Sequence, residues 1–186
     1  MNHAEVRSTP RAARIPLLAQ MREDLREHGS LQPTTVVAMY ATYGVHAAAT
    51  LAAVRGRWLP LPAPSRAAGA AGAVMTSAGA ALCLLGMRAF VGPGQVSGTS
   101  TGPLVTGGVY RLSRNPQYLG YVLVLAGTSL AARSGAGIAL AGAAAATFSA
   151  WIPAEEQHLE GIMGEPYQRY RRSTARWLRW PGHRAL

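Results

Sequence analysis

Long apolar runs alternate with short polar joints along this chain. No Asp, Glu, Lys or Arg occurs in residues 29–54, 67–87, 115–132 or 134–154. Each run is near or above the roughly 18 uncharged, mostly apolar residues that mark a candidate membrane span. The pattern predicts spans over residues 34–54, 67–90, 118–132 and 136–152. Pro33 suits the start of the first, and Arg55 and Arg57 close it. The second is rich in Gly and Ala, which let helix backbones approach closely, so it is expected inside a bundle rather than fully exposed to lipid. The third has only about fifteen residues, against roughly 20 needed to cross the hydrocarbon. It either tilts little and begins deep, or Arg133 snorkels from its far end. The fourth follows a tight turn, "ARSG", and forms a helical hairpin with the third.

The joints carry their own signals. Residues 55–66, "RGRWLPLPAPSR", hold three prolines that prevent a long helix, and Trp58 suits an interface. Residues 91–113 contain six glycines and two prolines, which argue against a regular element. Spacing in residues 15–25 permits a short amphipathic helix on the membrane surface. After Pro153 the character changes. Residues 154–163 can continue as a helix beyond the bilayer, Gly164 can end it, and Pro166 can open another after Glu165. There Tyr167, Tyr170 and Trp177 recur at near-helical spacing among Arg169, Arg171, Arg172, Arg176 and Arg179. An interfacial amphipathic helix held by anionic lipid is one reading of that tail.

These elements predict an all-α integral membrane protein with about four transmembrane helices and a C-terminal cytosolic or interfacial helical segment. Residues 1–33 form an N-terminal cytosolic or interfacial segment; residues 34–186 form one membrane domain whose C-terminal part is 154–186. Composition agrees. Only 14% of residues are charged, against about 25% in an average soluble domain. The net charge of +10 comes entirely from arginines, and these flank the apolar runs. That is the pattern of a protein facing anionic lipid, and no zinc-finger or aromatic-basic module points to nucleic acid. Arginine-rich termini place both ends in the cytosol, although Arg55, Arg57 and Arg66 in the first loop oppose that orientation. The single cysteine, Cys83, offers neither a disulfide nor a metal set and reads as a small buried hydrophobe. No metal is expected.

Four spans bring two polar stretches to one membrane face. "RNPQYLG", residues 114–120, caps the third span, and Glu155 and Glu156 leave the end of the fourth. The hairpin sets those ends side by side, so the carboxylates approach Arg114, Asn115 and Tyr118. A carboxylate beside lipid needs an arginine or a polar ligand. Ion pairing that only holds the fold is one outcome. The other is a ligand site in which a guanidinium, a carboxamide, phenols and carboxylates bind a zwitterionic, partly aromatic molecule, helped by helix N-terminal amides near Asn115. Gly107 and Gly108 let the preceding backbone fold closely over it. No phosphate loop, dinucleotide fingerprint, Ser-His-Asp set or HExxH motif occurs. His46 lies in the first span with no clear partner. His158 is either solvent-facing or at the edge of the site.

Residues 104–127, "LVTGGVYRLSRNPQYLGYVLVLAG", and 155–180, "EEQHLEGIMGEPYQRYRRSTARWLRW", resemble the paired signatures of the isoprenylcysteine carboxyl methyltransferase family, which includes bacterial relatives and resembles phospholipid methyltransferases. The matching residues are Gly108, Tyr110, Arg111, Arg114, Pro116, Tyr118, Gly120, Glu155, Glu156, Gly164, Tyr167 and Tyr170. The resemblance implies a membrane methyltransferase using S-adenosyl-L-methionine, without metal. It implies cofactor binding by Tyr110, Arg114, Asn115, Tyr118, Glu155, Glu156, Tyr167 and Tyr170, with Arg114, Asn115 and Glu156 as catalytic candidates. Asn115 stands where the family usually has histidine; it hydrogen-bonds but takes no proton near neutral pH. A carboxylate, thiol or lipid acceptor is expected, and room between the Ala- and Gly-rich spans favours a small or lipophilic one with membrane lipid as partner. The alanine-rich, lysine-free composition reads as a bacterial gene, hence a bacterial inner (plasma) membrane. A non-catalytic membrane scaffold or lipid-binding protein of the same fold, and a membrane NADPH-dependent reductase, are the rival readings.

Overall fold

The computed structural model describes residues 16–178. Its elements are α1 (Pro16–His28), α2 (Pro33–Gly56), α3 (Ser65–Arg88), α4 (Pro93–Ser97), a 3-10 turn (Gly108–Arg111), α5 (Pro116–Ala131), α6 (Gly135–Met163) and α7 (Glu165–Ser173). Among the described residues there is no β-strand. α2, α3 and α6 have 24, 24 and 29 residues and are long and apolar enough to cross a membrane. α5 has 16 residues and covers only about 24 Å at 1.5 Å per residue. The chain is therefore a multi-span helical membrane protein in which one helix of the core is short.

α3 and α5 are held together by backbone contact. Three of the four glycines of α3 recur every seven residues, at 72, 79 and 86, and those of α5 stand at 120 and 127. Gly79 meets Gly120 and Gly72 meets Gly127, so the two helices run antiparallel. A Cβ at Gly79 would lie 2.6 Å from the Gly120 carbonyl oxygen, and one at Gly72 would lie 2.5 Å from that of Gly127. Small residues at membrane helix interfaces permit this approach. The close packing expected of the Gly- and Ala-rich second span is present on one face of α3. α3 buries Ala68, Gly72, Gly79 and Gly86, while Val74, Leu84 and Leu85 are exposed.

The α5–α6 turn works as expected. Arg133 takes a left-handed conformation (φ 57°), and the Ser134 side chain caps α6 by accepting from the Gly137 N–H at 3.2 Å. The loop after α2 docks here. Gly135 N–H donates to the Leu59 carbonyl at 2.8 Å and Leu61 N–H to the Arg133 carbonyl at 2.9 Å. α6 then runs through Pro153 without ending. Gly164, with φ 59°, stops it and turns the chain into α7.

At the opposite end of the bundle, α1 packs on α2 and α6. Leu18 and Met21 are buried with Leu31, Met39 and Trp151, and Arg22 Nη2 donates to the Ala150 carbonyl at 2.8 Å. Asp24 is buried and accepts from the Gln32 N–H at 3.0 Å, tying the α1–α2 turn. Two other expectations change. Residues 91–113 contain α4, started by Pro93 and stopped by Gly98 at φ 78°, and the 3-10 turn. The C-terminal helix ends at Ser173, so Trp177 lies beyond it and packs against the core cluster of Leu125, Ala141, Ala144, Phe148 and Ile152. The sequence reading that set Trp177 in helical register with Tyr167 and Tyr170 is thereby corrected. Residues 1–15 and Arg179 of the sequence reading fall outside the described residues.

Candidate functional site

The polar stretch before α5 and the tail after α7 are stitched together. The Arg114 N–H donates to the Ala175 carbonyl at 2.9 Å. Ser113 Oγ and Asn115 Nδ2 both donate to the Arg176 carbonyl, at 3.2 and 3.0 Å. The tail can reach back because α7 is short and Thr174 adopts an extended conformation.

Glu156 sits at the centre. Arg114 places Nη2 and Nε on its Oε1, at 2.6 and 3.0 Å. Arg176 places Nη2 on Oε2 at 2.7 Å. Arg114 Nη1 also donates to the carbonyls of Arg171, at 3.0 Å, and Thr174. Two cations thus face one carboxylate, and both of its oxygens are engaged. The hydrogen bond from Arg176 to Glu156 holds that guanidinium above its ordinary range, so it stays charged.

Glu155 has a different environment. Its Oε2 accepts from the Tyr118 hydroxyl at 3.1 Å, and that hydroxyl accepts from Trp151 Nε1 at 3.1 Å. The Tyr118 ring stacks on Phe148 with centroids 4.5 Å apart. Tyr118, Trp151 and Phe148 therefore fix the carboxylate from below, and no arginine neutralises it among the described contacts. Beside it, α7 contributes Tyr167 and Tyr170, both buried. Tyr170 donates to the Tyr110 carbonyl at 2.7 Å, and Tyr110 donates to the Gly86 carbonyl at 3.4 Å. Burial pushes the phenols of Tyr110, Tyr167 and Tyr170 above the usual tyrosine range, so they remain neutral donors at physiological pH.

These groups open on one cavity of about 410 Å³. Tyr110, Arg114, Asn115, Tyr118, Glu155, Glu156, Tyr167 and Tyr170, all singled out from sequence, line it. So does His158, which the sequence left between solvent and the site. The glycine, proline and arginine residues of the same motif do other work. Pro116 and Gly120 are buried in the α3–α5 contact, Gly108 has φ 57°, and Arg111 is exposed. Sequence reasoning missed Arg176 as the second cation on Glu156. It also missed the aromatic floor of Tyr43, Tyr121, Phe148 and Trp151, and the lining from α1 and residues 95–105. Cys83 is half-buried, lines the cavity and donates to the Gln117 carbonyl at 3.3 Å, so its reading as a plain buried hydrophobe is corrected.

The cavity volume falls within the roughly 300–1,000 Å³ of small-molecule sites. Aromatic faces beside an unneutralised carboxylate suit a cationic ligand. The clamp's own donors are committed within the protein, which leaves the Glu155 carboxylate and the phenols on the α7 side to face a ligand. This donor set fits S-adenosylmethionine, whose sulfonium and ammonium are positive and whose carboxylate is negative. Among the described residues no group of three or more His, Cys, Asp or Glu could hold a metal ion.

A family model described as phospholipid methyltransferase matches residues 68–166. The match begins at the start of α3 and includes the clamp, the hairpin, Glu155 and Glu156. It stops before Tyr167, Tyr170 and Arg176. No curated protein and no solved structure matches the chain.

Proposed function

We infer that this chain, which belongs to the phospholipid methyltransferase family, works at the boundary where the hairpin ends meet the tail. It is an S-adenosylmethionine-dependent membrane methyltransferase acting on a small or lipophilic acceptor. The observation that carries the site assignment is the unequal use of the two adjacent carboxylates. Both line the cavity, but Glu156 is saturated by Arg114 and Arg176, whereas Glu155 accepts from the Tyr118 hydroxyl and has no arginine on it.

The division of labour follows. Glu156, Arg114 and Arg176 lock the tail against the foot of α5 and so set the shape of the pocket. Asn115, whose Nδ2 bonds the Arg176 carbonyl, keeps the tail in register. Glu155 would meet the positive charge of a bound cofactor, and the rings of Tyr118, Phe148 and Trp151 line the cavity beside that carboxylate. Tyr110, Tyr167 and Tyr170 close the cavity on the α7 side. When bound, S-adenosylmethionine supplies an electrophilic methyl carbon. The residues named here orient it and exclude water, which is most of what an in-line displacement requires of a protein.

A lipophilic acceptor enters sideways from the bilayer, with its head at the clamp and its tail along the apolar floor that includes Met39, Tyr43 and Met87. Four membrane-crossing helices, cytosolic termini and a bacterial plasma membrane complete the reading. The support for α5 as a fourth crossing is that its C-terminal end sits beside the loop after α2 and its N-terminal end beside the tail after α7. Calorimetry on the detergent-solubilised chain tests the assignment, with saturable binding of S-adenosylmethionine and none of NADPH as the expected result. Labelled methyl transfer into the organic-extractable fraction of a host membrane extract would identify the acceptor. Label confined to water-soluble products would rule out a lipophilic one.

A further inference from the structure

The end of the bundle farthest from the clamp carries positive charge that the protein does not balance. Arg55 and Arg57 close α2, Arg66 stands in the first turn of α3, and Arg133 lies in the α5–α6 turn. No Asp or Glu occurs anywhere between His28 and Glu155. Among the described residues none of these four arginines forms an ion pair. Arg66 also sits at the positive end of α3, where a cation is disfavoured.

Two of the guanidiniums are held in place by the docked loops. Arg57 Nε donates to the Ala132 carbonyl at 3.4 Å, and Arg133 Nη1 donates back across the junction to the Ala63 carbonyl at 3.3 Å. Each bond uses one N–H of a guanidinium that has several. Both arginines lie in the left-handed region, Arg57 at φ 49° and Arg133 at φ 57°. Glycine takes that conformation at a helix end without strain, and an L side chain does not. Gly56 and Gly135 stand close to these positions but not on them. The chain thus keeps a guanidinium at both turns where glycine would fold more easily. Between these charges, Trp58 and Leu59 are 57% and 71% exposed.

This surface pairs uncompensated cations with bare apolar side chains. A free phosphate would answer the charge and leave Trp58 and Leu59 in water. An anionic phospholipid answers both, with its phosphate on the guanidiniums and its glycerol and upper acyl chain against the indole and Leu59. We propose that the end of α2, the α5–α6 turn and the first turn of α3 form a binding site for an anionic phospholipid headgroup in the leaflet opposite the clamp. The site gives a role to Arg55, Arg57 and Arg66, which oppose the orientation set by the termini. A headgroup drawn onto Arg133 also sets the bilayer surface at the end of α5, where a helix of 16 residues needs it. The site is independent of the methyl-transfer reading.

The test places the full chain, Cys83→Ala with a fluorophore on Pro62→Cys, in vesicles of phosphatidylcholine and phosphatidylglycerol. Quenching is measured with one lipid or the other brominated close to its headgroup, which gives their relative affinity beside the loop. Each arginine near an anionic headgroup is worth about fivefold in binding, so phosphatidylglycerol is expected to be favoured at least about fivefold. Arg57→Gly with Arg133→Gly is expected to bring that ratio to within about twofold of unity. The same pair is expected to leave the melting temperature in lipid-free detergent no lower than in the parent, because glycine relieves both turns. Arginines that served only the fold would lower the melting temperature and leave the ratio alone. Arg57→Lys with Arg133→Lys keeps the charge and is expected to keep most of the preference.

A parent protein without the preference overturns the site. So does a preference that survives the glycine pair or vanishes in the lysine pair. Loss of the preference in millimolar inorganic phosphate would make the ligand a free anion and overturn the lipid assignment. If the glycine pair does not reconstitute, Arg66→Gln decides the matter. It is expected to lower the preference about threefold or more, and an unchanged ratio overturns the site.

Discussion

Arg114 and Glu156, 42 residues apart in sequence, meet with Nη2 and Nε of the guanidinium on one carboxylate oxygen. Their side chains are only 10% and 7% exposed. Arg176 reaches the other oxygen, but its side chain is 41% exposed. Removing one partner of a buried pair costs about 3–5 kcal/mol where it strands the other charge; with Arg176 still on Glu156, loss of Arg114 belongs at the lower end of that range. An exposed partner is screened by solvent and contributes about 1 kcal/mol or less. Arg114→Ala is therefore expected to destabilise the protein far more than Arg176→Ala. Thermal unfolding in detergent measures both, and equal losses would refute this ranking.

Adjacent carboxylates should respond in opposite ways to the same substitution. Glu156→Gln leaves two guanidiniums facing a neutral amide, so its main effect is expected on stability, by about 3 kcal/mol or more. Glu155→Gln keeps an oxygen for the Tyr118 hydroxyl, and the fold should hold within about 1 kcal/mol. Its loss is of charge facing the cavity. Affinity for S-adenosylmethionine should fall by about tenfold or more, the size of one charge-assisted contact. Paired melting and calorimetric measurements check the contrast. A Glu155→Gln protein with undiminished affinity would remove the proposed cation contact.

The clamp was legible because charge beside lipid has few options. Arg114, Tyr118, Glu155 and Glu156 announce themselves by polarity at the ends of apolar runs, and a short hairpin fixes their proximity. Arg176 was not legible as a site residue, since its contact depends on α7 stopping at Ser173 and the chain reversing past Thr174. Tyr43, Phe148 and Trp151 look like ordinary span residues until α2, α5 and α6 are packed. His46 lacked a partner in sequence for the same reason: the Leu140 carbonyl and the Tyr121 hydroxyl that meet its ring come from two other helices. The seven-residue spacing of Gly72, Gly79 and Gly86 was visible as small-residue content, but its consequence, a single packed stripe on an otherwise largely exposed α3, required the partner helix.

That stripe makes a prediction of its own. A methyl group at Gly120 would lie 2.5 Å from the Gly79 carbonyl oxygen and 2.9 Å from the Cys83 nitrogen, with backbone on both sides unable to give way. Gly120→Ala is expected to cost about 1–3 kcal/mol through overpacking and to push α5 away from α3. Gly142, in α6, has no atom within 4 Å of such a methyl group. Gly142→Ala should instead raise stability by up to about 1 kcal/mol, because alanine is the better helix former. Melting temperatures in one detergent compare them directly. Two losses of equal size would mean that helix propensity and backbone contact do not govern these positions.

α5 is the helix whose relation to the membrane is least obvious from length, and its contacts argue for a full crossing. Its C-terminal end is tied to the loop after α2, where Leu61 N–H donates to the Arg133 carbonyl and Arg133 Nη1 to the Ala63 carbonyl at 3.3 Å. Its N-terminal end carries the clamp, near the start of α2 and the far end of α6. A helix of 16 residues can do this if the arginine at its end snorkels and the bilayer thins locally. Single cysteines at exposed positions 62, 112 and 131, introduced into a Cys83→Ala background, test it with a membrane-impermeant maleimide. Pro62→Cys and Ala131→Cys should label on intact cells, and Leu112→Cys only after permeabilisation. The reversed pattern would keep four crossings but place the clamp outside. Labelling of position 131 together with 112, and not with 62, would make α5 a re-entrant helix and break the α3–α5 pairing on which the site is built.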